Sequence, residues 1–294
     1  AYCKECECEV GVKGILDYNA KEIDEQFRKA EGIISTDEIE KLGKIYNLGK
    51  APLSMALGFG EVTITRYLAG QIPSKEYSDI MRAALSNTKV MRELLESNRD
   101  KLADAAYRKA VSAIEELDAL FSVPSKMLMV ISYIFEQLGE VTPLALQKIL
   151  YFVQGLYFSK YEVPLFEDNC QAWVHGPVYA EIYDMFSSFR YDPIDDPRFE
   201  LLKGKSTSLN EKEREVINLV VNTFGIYGGK VLEKITHREN PWIDAREGYL
   251  ENEPSQEEIS KEAIKDYFVS VRTKYDLNTE SGIMDYIHNM LAQA

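Results

Sequence analysis

Apolar residues recur three and four positions apart through most of this chain, the spacing of helices that bury one face. Ile39, Leu42, Ile45 and Tyr46 form such a stripe behind Ser35, and Glu38, three residues on, completes a capping-box signature. Upstream, Asn19 is expected to cap a helix that runs to Ala30 and ends at Gly32. Two short helices follow, Ser54–Leu57 and Val62–Ala69, separated by Gly58-Phe59-Gly60. Helical patterns then cover about Ser74–Leu85 and Asn98–Leu120. Val123-Pro124-Ser125 marks a break, because proline disfavours helical backbone in the residue before it. Beyond the break, Met127–Leu138 reads as an apolar helix, and Pro143 sits where a first-turn proline is tolerated, ahead of Leu144–Ser159. Cys170–Val174 has the look of a strand, and Pro177–Phe189 reads as helical. Tyr191–Lys205, rich in Pro and Asp, reads as a loop. Helices are expected near Leu209–Phe224, Gly228–Lys234, Glu257–Tyr275 and Glu280–Ala292. The fold class is mainly α with small β elements.

A length of 294 residues favours two domains. The texture of the chain divides it into residues 1–16, residues 17–120 and residues 121–294. No run of about 18 apolar residues suggests a membrane span. The opening, Ala1-Tyr2-Cys3-Lys4-Glu5-Cys6, has no apolar signal core, so a cytoplasmic protein is expected. With no initiator Met, the natural chain is also expected to extend upstream. The net charge of −14 is uneven: residues 1–125 are net −4 and residues 126–294 net −10. An acidic C-terminal half argues against nonspecific nucleic-acid binding there and suits a basic protein partner.

Leu53-Ser54-Met55-Ala56-Leu57-Gly58-Phe59-Gly60-Glu61-Val62-Thr63-Ile64-Thr65-Arg66-Tyr67-Leu68 has the layout of a helix-turn-helix. Small Ala56 permits close helix approach, the glycines permit the turn, and Ile64, Tyr67 and Leu68 are spaced to pack inward. Thr63, Thr65 and Arg66 are then free to face DNA, Arg66 through guanine or phosphate and the threonines through phosphates or a thymine methyl. Thr65-Arg66-Tyr67-Leu68-Ala69-Gly70 resembles the Ser-Arg-Tyr-Glu-x-Gly signature of Xre-type repressors. Where that family places a base-reading Asn, this chain has Val62 beside Glu61, so no target sequence carries over.

Three of the four cysteines fall within the first eight residues. Cys3-x-x-Cys6 has the spacing of half of a four-thiolate structural zinc site, which would need a second cysteine pair upstream. Tyr2-Cys3-Lys4-Glu5-Cys6, followed by a spacer and Phe27-Arg28, resembles the end of the zinc ribbon of MqsA-type antitoxins, in which a ribbon precedes this kind of helix-turn-helix. The resemblance spans about residues 2–95. It implies a partial zinc ribbon over 1–16, a helix-turn-helix domain with connecting helices over 17–120, and binding to operator DNA as a homodimer.

The C-terminal half holds the longest motifs. Leu146-Gln147-Lys148-Ile149-Leu150-Tyr151-Phe152-Val153-Gln154-Gly155 is followed by Pro164-Leu165-Phe166 and then by Ala172-Trp173-Val174-His175-Gly176-Pro177-Val178. Leu146, Ile149, Leu150 and Val153 share one helical face, Trp173 is expected to pack beneath them, and Gly176-Pro177 to turn the chain directly into a helix. Gln147 and Lys148 either support the fold by bonding the strand backbone or reach a partner. His175 reads as a turn histidine bonded to backbone, with no nucleophile placed to use it, and His237 and His288 belong to no motif. Together these segments resemble the Panacea antitoxin domain, also described as SocA-like or GepA-like, over about residues 126–250.

That resemblance implies a non-enzymatic antitoxin whose residues 121–294 bind a cognate protein toxin directly. The toxin is expected to be basic and to inhibit translation, with Gln147 and Lys148 as candidate contacts and Leu146, Tyr151, Trp173, Gly176 and Pro177 as the structural motif. The helix-turn-helix is expected to autoregulate the operon. Two other readings use the same architecture. One is a transcriptional regulator with a partner- or ligand-sensing C-terminal domain, and the other is a proteolytic adaptor.

Overall fold

The computed structural model describes residues 2, 4–6, 8, 14–121, 125–202 and 208–292. Helix accounts for 66% of it and strand for 4%, so the fold is mainly α with small β elements. The chain divides into two compact units, one of residues 1–123 with 197–203, the other of residues 124–196 with 204–294.

The N-terminal unit holds α1 (Ile15–Ala30), α2 (Thr36–Ile45), α3 (Lys50–Ala56), α4 (Thr63–Leu68), α5 (Lys75–Ser86), α6 (Thr88–Ser97) and α7 (Asp104–Phe121). The capping box ahead of α2 is present: Ser35 Oγ accepts from the Glu38 amide, and Glu38 Oε2 accepts from the Ser35 amide. Ile39, Leu42, Ile45 and Tyr46 are buried as their spacing requires. α1 begins a turn earlier than expected, so Asn19 lies inside the helix and Gly14, with φ 84°, precedes it. α6 has no counterpart in the sequence reading. Asn87 both ends α5 and caps α6 through the Lys89 amide, so a single residue hides a helix boundary. α7 accordingly starts at Asp104, and Asn98 ends α6 and leads only into a short 3-10 turn, Arg99–Lys101.

Polar side chains tie this unit together. Arg28, 1% exposed, donates to the carbonyls of Ile34 and Gln71 and pairs with Asp24 at 2.7 Å. It therefore fixes α1 to the entry of α2 and to the chain leaving α4. Tyr46 donates its hydroxyl to the Ala84 carbonyl, and the Ser78 hydroxyl accepts from the Ile34 amide. The segment read as a loop between Tyr191 and Lys205 contains a 3-10 helix, Pro197–Leu202, which belongs to this unit. Its Phe199, Leu201 and Leu202 are buried, and Glu200 pairs with Lys41 at 3.1 Å.

The C-terminal unit begins with α8 (Lys126–Leu138) and α9 (Pro143–Tyr161). α9 is apolar nearly all round, the pattern of a helix enclosed by others, and it contacts α10 (Ala180–Phe186), α11 (Glu211–Thr223), α12 (Gly229–Thr236) and α14 (Lys261–Arg272). The approach of α14 depends on Gly155, where a Cβ would stand 2.2 Å from the Phe268 ring. α13 (Asn240–Ala245) and α15 (Glu280–Ala292) complete the helices.

A small antiparallel sheet lies beside α9, with β2 (Gly176–Val178) and β3 (Glu258–Ile259) flanking β1 (Cys170–Trp173). Trp173 pairs with Gly176 and Gln171 with Val178 across the hairpin. Gly176-Pro177 thus enters a strand, not a helix, and α10 starts only at Ala180. The tight reversal explains this: Gly176 has φ 96°, and a Cβ there would meet Lys148 Cε and Thr236 Oγ1 at 2.8 Å.

Candidate functional site

Three polar residues on the buried helix α9 join the sequence motifs to one another. Gln147, 2% exposed, accepts from the Tyr179 amide at 2.8 Å and donates to the Tyr179 carbonyl. Lys148, fully buried, donates Nζ to the Pro177 carbonyl at 2.9 Å. Gln154 accepts from the Leu165 and Phe166 amides and donates to the Phe166 carbonyl. Backbone groups that would otherwise be buried without partners are satisfied by two adjacent side chains and a third about two turns on along a single helix. Lys148 thus bonds the backbone of β2 and Gln147 that of the residue just after it, and Lys148 presents nothing to the surface. Leu146 and Tyr151 are likewise fully buried.

The other side of the hairpin is held from α13. Trp242 donates Nε1 to the Trp173 carbonyl at 2.9 Å, and Arg246, at the end of α13, donates to the Ala172 carbonyl at 3.0 Å. His237 stacks on Trp242 with ring centroids 4.1 Å apart.

Burial moves the charge states of this interior. Desolvation draws the Lys148 ammonium down to about 7, raises the neighbouring Cys170 thiol to about 12 and takes His237 down to about 4. Glu239, enclosed with Tyr267 and Tyr286, accepts from the Tyr286 hydroxyl, and burial raises its carboxyl to about 8. A mostly neutral carboxylic acid at pH 7 is compatible with so apolar a setting.

Along β1, Cys170 and Ala172 face the core, and Gln171 and Trp173 point the other way. Trp173 consequently does not pack beneath α9. It is half-buried and lines a cleft of about 700 Å³ in the C-terminal unit. Its indole meets the Tyr183 ring edge-on at 4.9 Å and donates Nε1 to Gln171 Oε1. His175 stands at the same cleft, exposed, with Nδ1 3.2 Å from Glu233 Oε1 rather than on backbone. Lys230 also pairs with Glu233, at 2.9 Å, and Arg190 and Tyr191 complete the rim. Tyr183 closes the motif that starts at Ala172, but the sequence does not single out Arg190, Lys230, Glu239 or Arg246, which sit in separate segments with no spacing to connect them.

In the N-terminal unit, α3 and α4 pack together, and the buried Ser54 hydroxyl accepts from the Ile64 amide at 2.9 Å. Gly58, at φ 80°, makes the turn between them. Ile64 and Tyr67 are buried, Thr65 and Arg66 are exposed, and Thr63 is half-buried. The Arg66 side chain has no ion pair or hydrogen bond among the described residues.

Cys3 lies outside the described residues, as does most of the segment up to Lys13. Cys6 and Cys8 are exposed, the Cys8 thiol 3.4 Å from the Cys6 carbonyl. Among the described residues no group of three or more His, Cys, Asp or Glu side chains is placed to hold a metal, and two thiols alone do not make a tetrahedral site. No helix among them is long and apolar enough to cross a membrane.

The protein is thus a two-unit helical chain whose C-terminal unit clasps a short β-hairpin with buried polar side chains from α9 and α13. Residues 146–243, which contain the α9 side of that clasp and Trp242 from its α13 side, match the family model described as Antitoxin SocA-like, Panacea domain. No curated protein and no solved structure matches the chain.

Proposed function

We propose that this chain is the antitoxin of a toxin–antitoxin pair, acting without catalysis: the C-terminal unit binds a toxin protein encoded beside it and blocks its action. The observation that carries this reading is the SocA-like, Panacea match over residues 146–243. The net charge of −10 on residues 126–294 favours a basic toxin, such as an enzyme that acts on RNA to inhibit translation. The N-terminal unit binds the operon's own promoter as a homodimer, in the manner of an Xre-like helix-turn-helix. Support for this comes from α4, which buries Ile64 and Tyr67 while Thr65 and Arg66 stay exposed. A structural zinc would take Cys3 and Cys6 as two of its four ligands. The functional division falls near residues 121–125, but residues 197–203 travel with the N-terminal unit, so a cut at 121 would expose Phe199, Leu201 and Leu202.

The test uses the full chain, co-expressed with the product of the adjacent gene. Growth rescue with stoichiometric co-purification is the expected result. Rescue that vanishes in a host lacking its ATP-dependent proteases would replace this reading with a proteolytic adaptor. An adjacent product that is harmless, with promoter binding intact, would leave a transcriptional regulator that senses a ligand or partner through its C-terminal unit.

A further inference from the structure

The cleft beside the hairpin has the chemistry of a protein-docking site, and its local charge opposes that of the unit that carries it. Its floor is aromatic. Trp173 is fixed at both ends, its indole Nε1 by Gln171 and its carbonyl by Trp242, and Tyr183 from α10 closes on it edge-to-face. Leu144, Val174 and Val178 supply apolar walls. Three cationic or protonatable groups, His175, Arg190 and Lys230, stand at the cleft, and among the described residues no Asp or Glu lines it, although residues 126–294 are net −10. His175 and Lys230 are engaged by Glu233 behind them. Arg190 is exposed and its side chain has no partner among the described residues.

Arg190 is also held at φ 54° and ψ −102°, backbone that suits glycine and strains any side chain. A non-glycine residue there is a cost to the fold that no side-chain partner among the described residues offsets. Tyr191, next in the chain, is 88% exposed. Trp, Tyr and Arg are the residue types that dominate the energetics of protein interfaces, anchored in pockets with apolar surroundings. A small ligand buried on the Trp173 floor would leave Tyr191 and much of Arg190 unused, whereas a polypeptide crossing the cleft covers all of them. Ten of the fifteen lining residues fall within the segment 146–243.

We infer that this cleft is where the toxin docks, and that it takes an extended toxin segment carrying a bulky apolar or aromatic side chain beside an Asp or Glu. The apolar side chain sits on Trp173 and Tyr183, and the carboxylate pairs with Arg190. This rests on the antitoxin reading above and names its contact. The acidic excess of the unit lies outside the cleft and can still meet basic surface of the same toxin.

The test is a titration of full-length protein with the product of the adjacent gene, in parallel with melting curves. Arg190→Gly removes the cation and relieves the backbone, so it should melt at the same or a higher temperature yet bind at least about tenfold more weakly. Tyr183→Ala should weaken binding to a similar extent, and Val269→Ala, on the exposed face of α14, should not. Among overlapping synthetic peptides from the toxin, one with the apolar–acidic pair should compete and perturb Trp173 fluorescence, and changing its acid to Lys should abolish this. Wild-type affinity in both Arg190→Gly and Tyr183→Ala would overturn the docking site while leaving the antitoxin reading intact, including the case in which the cleft serves only a small ligand. No binding by the wild-type protein would instead remove the antitoxin reading and this inference with it.

Discussion

Lys148 offers a direct measure of what the interior of the C-terminal unit costs and gains. Its Nζ is buried against the Pro177 carbonyl, and desolvation lowers it from 10.5 to about 7. Between those two values the unfolded chain holds the proton more tightly than the folded protein, so this group makes stability rise with pH across that window. From pH 7 to pH 9 the linkage relation gives a rise of about 2 kcal/mol for a lysine depressed to about 7. Lys148→Met keeps an unbranched stem and removes the titrating group, leaving one carbonyl without its donor at about 1–3 kcal/mol. Relief from burying a charge offsets that loss near pH 7, so the variant should fold, with the rise across pH 7–9 gone. The assay is urea unfolding followed by tryptophan fluorescence. Both tryptophans of the chain, Trp173 and Trp242, lie in the C-terminal unit, so the signal reports that unit alone. Glu239 titrates in part of the same window and Cys170 above it, so the quantity read is the difference between wild type and variant at each pH. A difference that stays flat from pH 7 to pH 9 would show that the ammonium is not held in a desolvated site, and the account of Lys148 as a buried clasp would fall.

Glu239 should give the opposite slope. Raised from 4.5 to about 8 by burial, it holds its proton in the folded state where the unfolded chain has lost it. Its contribution is present below pH 4.5 and is lost as pH climbs through 8, by about 2–3 kcal/mol between pH 5 and 7; Glu239→Gln should remove that decline in the same unfolding series. Gly155→Ala places a methyl 2.2 Å from the buried Phe268 ring, and the overpacking should cost about 1–3 kcal/mol in urea unfolding despite alanine's better helix propensity. An unchanged midpoint would show that α14 can shift away from α9. Arg66→Ala should weaken promoter binding by about 1–3 kcal/mol, with smaller losses for Thr63→Ala and Thr65→Ala and no effect on toxin rescue. An unaltered footprint would remove α4 from the DNA interface.

Local signals set much of the fold. The i, i+3, i+4 stripe at Ile39, Leu42 and Ile45, the Ser35–Glu38 box and Pro143 at the first turn of α9 depend only on residues within a helical turn or two, so the sequence alone sufficed. The order of the motifs between Leu146 and Val178 pointed to the domain later matched. What those motifs do was decided by tertiary contact. Gln147, Lys148 and Gln154 look like polar interruptions in an apolar helix until the strand and the Pro-Leu-Phe turn are laid against them. Pro177 reads as a helix start because proline suits a first turn; pairing with β1 makes it a strand instead, and no residue near it in sequence encodes that pairing. Trp173 looks like core by type, yet the two-residue period of a strand already burying Cys170 and Ala172 turns it toward the cleft. The segment Pro197–Leu202 carries loop-like Pro and Asp neighbours, and its burial comes from a unit encoded more than seventy residues earlier. The cleft gathers Trp173, Tyr183, Arg190 and Lys230 from one strand and the chain around two helices, and Glu239 meets Tyr286 across 47 residues. Periodicity records which face of an element is apolar, but which elements meet is settled by packing among all of them at once.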